Sequence, residues 1–192
     1  MTLDWRLATK ADRPLIQTFK CTDPPPRVSL RTKPLRHPQP YAVTAQKIVH
    51  ADALKGLPRS PEIAGGGAAW NRTDRRTVLG IEDGKLVAIV CHEQRPDVSE
   101  YLGKPVRMIL VVAVALDQRG LRRGLGDRAN DQACLDAAER EGTPLIVIGA
   151  VDPANDASKR CLLRCEWTRL PSLETAMGSY PNEIWGFEIF DE

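Results

Sequence analysis

Several signatures are missing from this chain, and each absence narrows the reading. The five cysteines, at 21, 91, 134, 161 and 165, are odd in number and include no Cys-x-x-Cys pair. That argues against a disulfide framework and against a paired-cysteine zinc site. Reduced thiols and no metal are expected. The longest apolar run, within residues 108–116, is far too short to span a bilayer. The opening Met1-Thr-Leu-Asp-Trp-Arg6 has no charged-then-apolar signal pattern. A cytoplasmic protein is the expectation. No Gly-Lys-Ser/Thr sequence ends the glycine-rich turn at 119–126, which argues against a P-loop. No Lys/Arg block with interleaved aromatics is present either, so a nucleic-acid partner is not expected.

What is there fits one globular domain. The chain has 192 residues, 42% of them hydrophobic and 27% charged, enough for a sizeable core. Net charge is +2 but uneven. Residues 1–76 carry 14 Lys/Arg against 6 Asp/Glu, and the remainder 13 against 19. The basic residues are spread out, as in a solvated face balanced by an acidic half.

The pattern predicts alternating elements. Leu3–Thr9 alternates like an edge strand. Lys10–Lys20 reads as a short helix with Thr9 as N-cap. Residues 20–61 hold eight of the fifteen prolines, so 20–65 is read as a proline-rich insertion or lid within the single domain 1–192. A helix fits inside it from about Tyr41 to Leu54, with Tyr41, Ala45, Ile48, Val49 and Ala53 near one face. Residues 76–82 and 85–93 flank Asp83-Gly84 as a hairpin. Residues 106–116 and 145–151 are buried strands by their apolar continuity. Residues 124–141 form a helix with Leu125, Ala129, Ala133 and Ala137 in register, stopped by Gly142. Asp156–Arg164 is a short helix, and strands are placed near 167–170 and 184–190. The order gives an α/β fold with a mixed sheet.

Arg119-Gly-Leu-Arg-Arg-Gly-Leu-Gly126 lies between a buried strand and a helix start. Glycine lets backbone N–H groups converge, and the helix start adds unpaired donors and a positive dipole end. A phosphate or pyrophosphate is the natural occupant.

With Leu121-Arg-Arg-Gly-Leu-Gly126 as the loop, and Asn155 and Ser158 after the next strand, the chain resembles the GNAT superfamily of acetyl-CoA-dependent N-acetyltransferases. That family's loop reads Gln/Arg-x-x-Gly-x-Gly/Ala, and Leu121 stands where Gln or Arg is usual. Leu162 falls where the family's acidic tyrosine is common, and Glu166-Trp167 replaces Gly-Phe. The resemblance implies a mostly antiparallel sheet flanked by helices, with two parallel strands splayed at the CoA site. It implies that Ala115 and Leu116 offer strand-edge groups to pantetheine. It implies that Leu121, Arg122, Arg123, Gly124, Leu125 and Gly126 cradle the pyrophosphate of acetyl-CoA, that Asn155 contacts its pantetheine or thiol end, and that Ser158 also binds the cofactor. The reaction would be direct attack of a neutral primary amine on the thioester.

Proton transfer is expected of few groups. Glu93 is the candidate base, and adjacent His92 points to the opposite face, so at most one of them meets the site. Cys161 or Tyr180 could stand in for the missing tyrosine as acid. Tyr41, Trp70 and His92 are the candidate acceptor-pocket residues. The acceptor is a small-molecule or peptide amine, no membrane is involved, and exposed sheet edges suit a homodimer. Two alternatives stay open: a non-catalytic acyl-CoA-binding protein of the same fold, motivated by Leu162, and toxin-like acetylation of aminoacyl-tRNA.

Overall fold

Asp83-Gly84 turns the chain where expected, and both residues take positive φ (48° and 74°). They join β2 (Arg76–Glu82) to β3 (Lys85–Gln94). The computed structural model describes residues 2–22, 40–57, 74–121, 123–179 and 181–190, with side chains of the second stretch from residue 45 onward. Around the hairpin the described elements are β1 (Leu3–Leu7), α1 (Arg13–Thr18), α2 (Pro40–Lys55), α3 (Pro96–Leu102) and β4 (Val106–Val114). They continue with α4 (Leu125–Glu141), β5 (Leu145–Val151), α5 (Asp156–Arg164), β6 (Thr168–Arg169), α6 (Pro171–Ala176) and β7 (Glu183–Ile189). The seven strands form one sheet in the order β1-β2-β3-β4-β5-β7-β6. Every neighbouring pair is antiparallel except β4 with β5.

Helices cover both faces. Ala129, Ala133 and Ala137 of α4 pack with Leu162 and Trp167 on Val90, Ile109 and Val147. Their small side chains bring the helix close to the sheet, and all three are fully buried. On the other face, Ile16, Val49 and Ala53 of α1 and α2 cover Ile89, Cys91, Val111 and Ala113. Ile48, expected on the buried face of α2, is instead 47% exposed. Beyond the edge of α2, Val98 and Leu173 of α3 and α6 cover Val106, Ile148 and Ile184. Neither α3 nor α6 is visible in the sequence pattern. Each begins with proline at its first position, where the missing N–H costs no helical bond.

One polar system lies within the α4 face. Arg107 of β4 and His92 of β3 are both wholly buried. Arg107 Nε donates to His92 Nδ1 at 2.9 Å, and His92 Nε2 meets Asp136 Oδ2 of α4 at 2.8 Å. Since arginine only donates, Nδ1 must accept, so Nε2 carries the hydrogen of a neutral imidazole. Arg76 closes the system with two bonds to Asp136, at 2.7 and 2.9 Å. Arg107 also reaches Glu141 at 2.6 Å and Asp74 at 3.1 Å, and Asp74 is shared with Arg140. His92 therefore cannot line an acceptor pocket as the sequence suggested: its face of β3 is the one α4 seals.

These contacts set a pH dependence. Burial holds the His92 imidazole below its usual value, helped by the Arg107 charge and opposed by Asp136. Burial alone would raise Asp136, but the bonds from Arg76 and His92 outweigh it and hold its carboxyl well below the ordinary range. Both groups bind protons less readily folded than unfolded, so acid favours the unfolded chain. Urea unfolding should show stability falling as pH drops through about 6.5, with a second loss below about 4. His92→Gln should flatten the first limb. Asp136→Ala should cost about 3 kcal/mol at pH 7 by stranding its buried partners.

Candidate functional site at the divergence of β4 and β5

β4 and β5 stay together only from Val106–Ile109, paired with Ile146–Gly149. Beyond Gly149, β5 remains with β7, matching Ala150 to Ile184 and Val151 to Glu183. β4 remains with β3 as far as Val114. The two parallel strands therefore part. At the same level the β3–β4 register slips, with His92 opposite Ile109 but Cys91 opposite Val111. Leu110 is the extra residue of a bulge, the device that bends a strand away from its neighbour.

The bulge leaves a strand edge open towards β5. Ala115 N–H donates to Val87 O at 2.8 Å, so residues 115, 113 and 111 direct their main-chain groups to β3. By alternation, those of Val112 and Val114 point into the gap. The sequence assigned this edge to Ala115 and Leu116. Those two N–H groups are occupied, by Val87 O and by Lys20 O at 2.8 Å. Leu116 belongs not to the strand but to a 3₁₀ turn over Leu116–Gln118. A cavity of about 570 Å³ flanks this turn on the α1 side, with Phe19, Lys20, Lys85 and Leu86 among its walls.

Gly124 ends the loop as N-cap of α4 with φ 63° and ψ 22°, a conformation costly for a residue with a Cβ. The cap has no side-chain acceptor. Arg128 N–H returns to Gly124 O at 3.0 Å, and the N–H groups of Leu125, Gly126 and Asp127 meet no acceptor among the described residues. Leu125 packs its side chain inward, and Leu121 is 56% exposed. Arg123 does not face outward as a free cation. It binds Glu82 of β2 with two nitrogens, one at 2.7 Å, and Gln118 at 2.8 Å. Arg122 lies outside the described residues.

α5 begins at Asn155, whose Oδ1 accepts from Ser158 N–H at 3.2 Å. That cap leaves the Asn155 amide nitrogen to donate elsewhere. Leu162 is buried in the α4 face of the core, so its position presents nothing to the gap. Cys161 lies against the start of α4. A Cβ on Gly126 would stand 3.3 Å from its Sγ, so the second glycine of the loop is also where α5 approaches. The thiol donates to Asp127 at 3.0 Å. Burial and that carboxylate push it up to about 12.

Glu93 sits on the α2 face, opposite Met108 in the closed half of the sheet. Arg75 holds it at 2.9 and 2.5 Å and reaches Asp52 of α2 at 2.9 Å. Trp70, Tyr180 and the side chain of Tyr41 fall outside the described residues. The structure thus brings together Val112, Val114, the Gly124–Gly126 corner and Asn155–Ser158, and leaves Glu93 apart.

No sequence-family model matches the chain, and neither does any curated protein. Solved structures do. The GNAT domain of the S. lividans PAT is 16% identical, with 98% of this chain and 92% of that one covered and a TM-score of 0.60. A Bacillus anthracis protein described as a streptothricin acetyltransferase, solved with acetyl coenzyme A, is 10% identical over 98% and 99%, with a TM-score of 0.56. A GNAT-family acetyltransferase from Streptococcus pneumoniae is 16% identical over 98% and 100%, with a TM-score of 0.52. In strand order, in its single parallel pair and in backbone, this chain has the fold of the GNAT acetyltransferases.

Proposed function

We propose that the protein transfers the acetyl group of acetyl-CoA to a primary amine by direct attack. The observation that carries this reading is the strand edge at Val112 and Val114, leading to three N–H groups at the Gly124 corner, all without an acceptor among the described residues. An extended amide-bearing arm ending in a pyrophosphate matches that sequence of donors and acceptors. The B. anthracis protein, solved with acetyl coenzyme A, shares this fold. Since Arg123 is held by Glu82, the pyrophosphate is bound mainly by backbone N–H groups, with exposed Arg119 nearby in sequence.

The neutral amine attacks the thioester carbonyl carbon. The new C–N bond forms, the C–S bond breaks, the nitrogen gives up a proton and the thiolate gains one. Strand-edge N–H groups beside the bulge stabilise the oxyanion. Holding both reactants in line supplies much of the rate. Glu93 is the candidate base, acting through water once Arg75 releases it. Tyr180 is the candidate acid. Cys161 is a poor one, because its proton is held against Asp127. A small-molecule or peptide amine is the acceptor class.

A second reading, acyl-CoA binding without turnover, is favoured by two observations. Leu162 is buried where the family's tyrosine would act, and Glu93 is engaged by Arg75.

Saturating acetyl-CoA and CoA, but not ATP, should raise the melting midpoint. The gain is about 2.7 kcal/mol at a hundredfold excess over Kd. No shift with either would remove the reading. Gly124→Val should weaken CoA binding at least tenfold in calorimetry, because a β-branched residue resists this φ. Unchanged affinity would show that the corner is not the pyrophosphate site. Glu93→Gln should lower kcat with an amine acceptor about a hundredfold while the CoA shift persists. An unchanged kcat would exclude Glu93 as base, and no turnover by the wild type with any amine would select the second reading.

A further inference from the structure

Cys161 of α5, Cys165 at the C-cap of that helix and one carboxylate of α4 meet at the seam between the two helices. Cys161 and Cys165 are one helical turn apart, on the same face. Their sulfurs and a carboxylate oxygen of Asp127 all lie within 4.8 Å of one another, and all three residues are partly exposed. We infer that Asp127, Cys161 and Cys165 form a binding site for a soft d¹⁰ divalent cation, with Zn²⁺ the candidate in the cell. The proposed function uses the main-chain N–H of Asp127 but none of these three side chains.

The donor set selects the metal. Two thiolates and one carboxylate suit Zn²⁺ and Cd²⁺ and poorly suit Mg²⁺ or Ca²⁺. A tetrahedral zinc with Zn–S near 2.3 Å separates two sulfurs by about 3.8 Å, so the ligand atoms need little rearrangement. The Cys161 thiol hydrogen already points at Asp127 Oδ1, 3.0 Å away. A cation replaces that proton between the same two atoms. Three protein ligands leave the fourth position to water.

The surroundings support the bound form. Asn130 Nδ2 donates to Cys161 Sγ at 3.1 Å, a contact that a thiolate accepts more strongly than a thiol. Arg164 binds Asp127 at 2.6 and 3.0 Å. Two thiolates and a carboxylate around a divalent cation sum to one negative charge, which this guanidinium neutralises from outside. Its Nε bond to Asp127 Oδ2 survives while Oδ1 turns to the metal. Asp131 of α4 stands close to both Cys134 and Cys165. Binding forms two metal–sulfur bonds and releases two protons to solvent.

The test uses the full chain, reduced with a phosphine and stripped with a chelator. Cd²⁺ titration should give a sulfur-to-metal charge-transfer band saturating at one equivalent. Cys161→Ser and Cys165→Ser should each weaken Cd²⁺ at least tenfold, while Cys21→Ser should not. A second measurement needs no variant: Zn²⁺ should protect Cys161 and Cys165 from alkylation, read peptide by peptide. No band with the wild type, or no protection of these two thiols, would overturn the inference. So would unchanged affinity in both serine variants.

Discussion

The structure turns on a strand that changes company. β4 is bonded on both edges at its start and on one edge at its end, and the change falls at Leu110. A strand edge with unsatisfied N–H and C=O groups is normally a liability inside a sheet, because buried main-chain polar groups need partners. Here the bulge and the departure of β5 create two such positions, Val112 and Val114. The chain then runs into a loop whose far end holds three more donors with no acceptor among the described residues. The two groups of donors are separated by the 3₁₀ turn at Leu116–Gln118, and in the proposed function an extended polar ligand would span both, as an added strand does at a sheet edge.

Charge plays a different part from the one the loop's composition suggests. A turn with three arginines looks like a cationic trap. Yet Arg123 reaches across to Glu82 at the end of β2, which braces the loop against the hairpin turn. In the proposed function, selectivity at the corner would come from donor direction, fixed by Gly124, more than from side-chain charge. Gly126 serves two neighbours at once. It admits α5 to the flank of α4, and in the proposed function it would also leave the ligand's approach clear of a side chain.

Much of this was legible in the residues. The hairpin, both parallel strands, α4 with its alanine row and the short helix over Asp156–Arg164 all follow from local signals of turn chemistry and periodicity. The glycine corner was legible for the same reason, since it is set by neighbours in sequence. What escaped depends on partners distant in the chain. Which residues of β4 face the gap follows from pairing with β3 and from one inserted residue, and an apolar run carries no mark of either. The resemblance therefore points to Ala115 and Leu116, whose N–H groups are occupied, while those of Val112 and Val114 turn away from β3. His92 was legible as an alternative to Glu93 but not as a buried residue, because its partners are 15 and 44 positions away. Short α3 and α6 hold too few turns to show a period.

Arg107 has a bearing on this opening that its distance from the loop conceals. Strands made of valine, isoleucine and leucine slide past one another at small cost, because one branched side chain replaces another. A guanidinium does not. Moved by one residue, Arg107 would leave His92, Glu141 and Asp74 and enter the apolar packing of Val98, Ile148 and Leu173 on the opposite face. The buried charge thus acts as an index pin. It allows β4 a single alignment and so fixes where along the strand the fork with β5 begins.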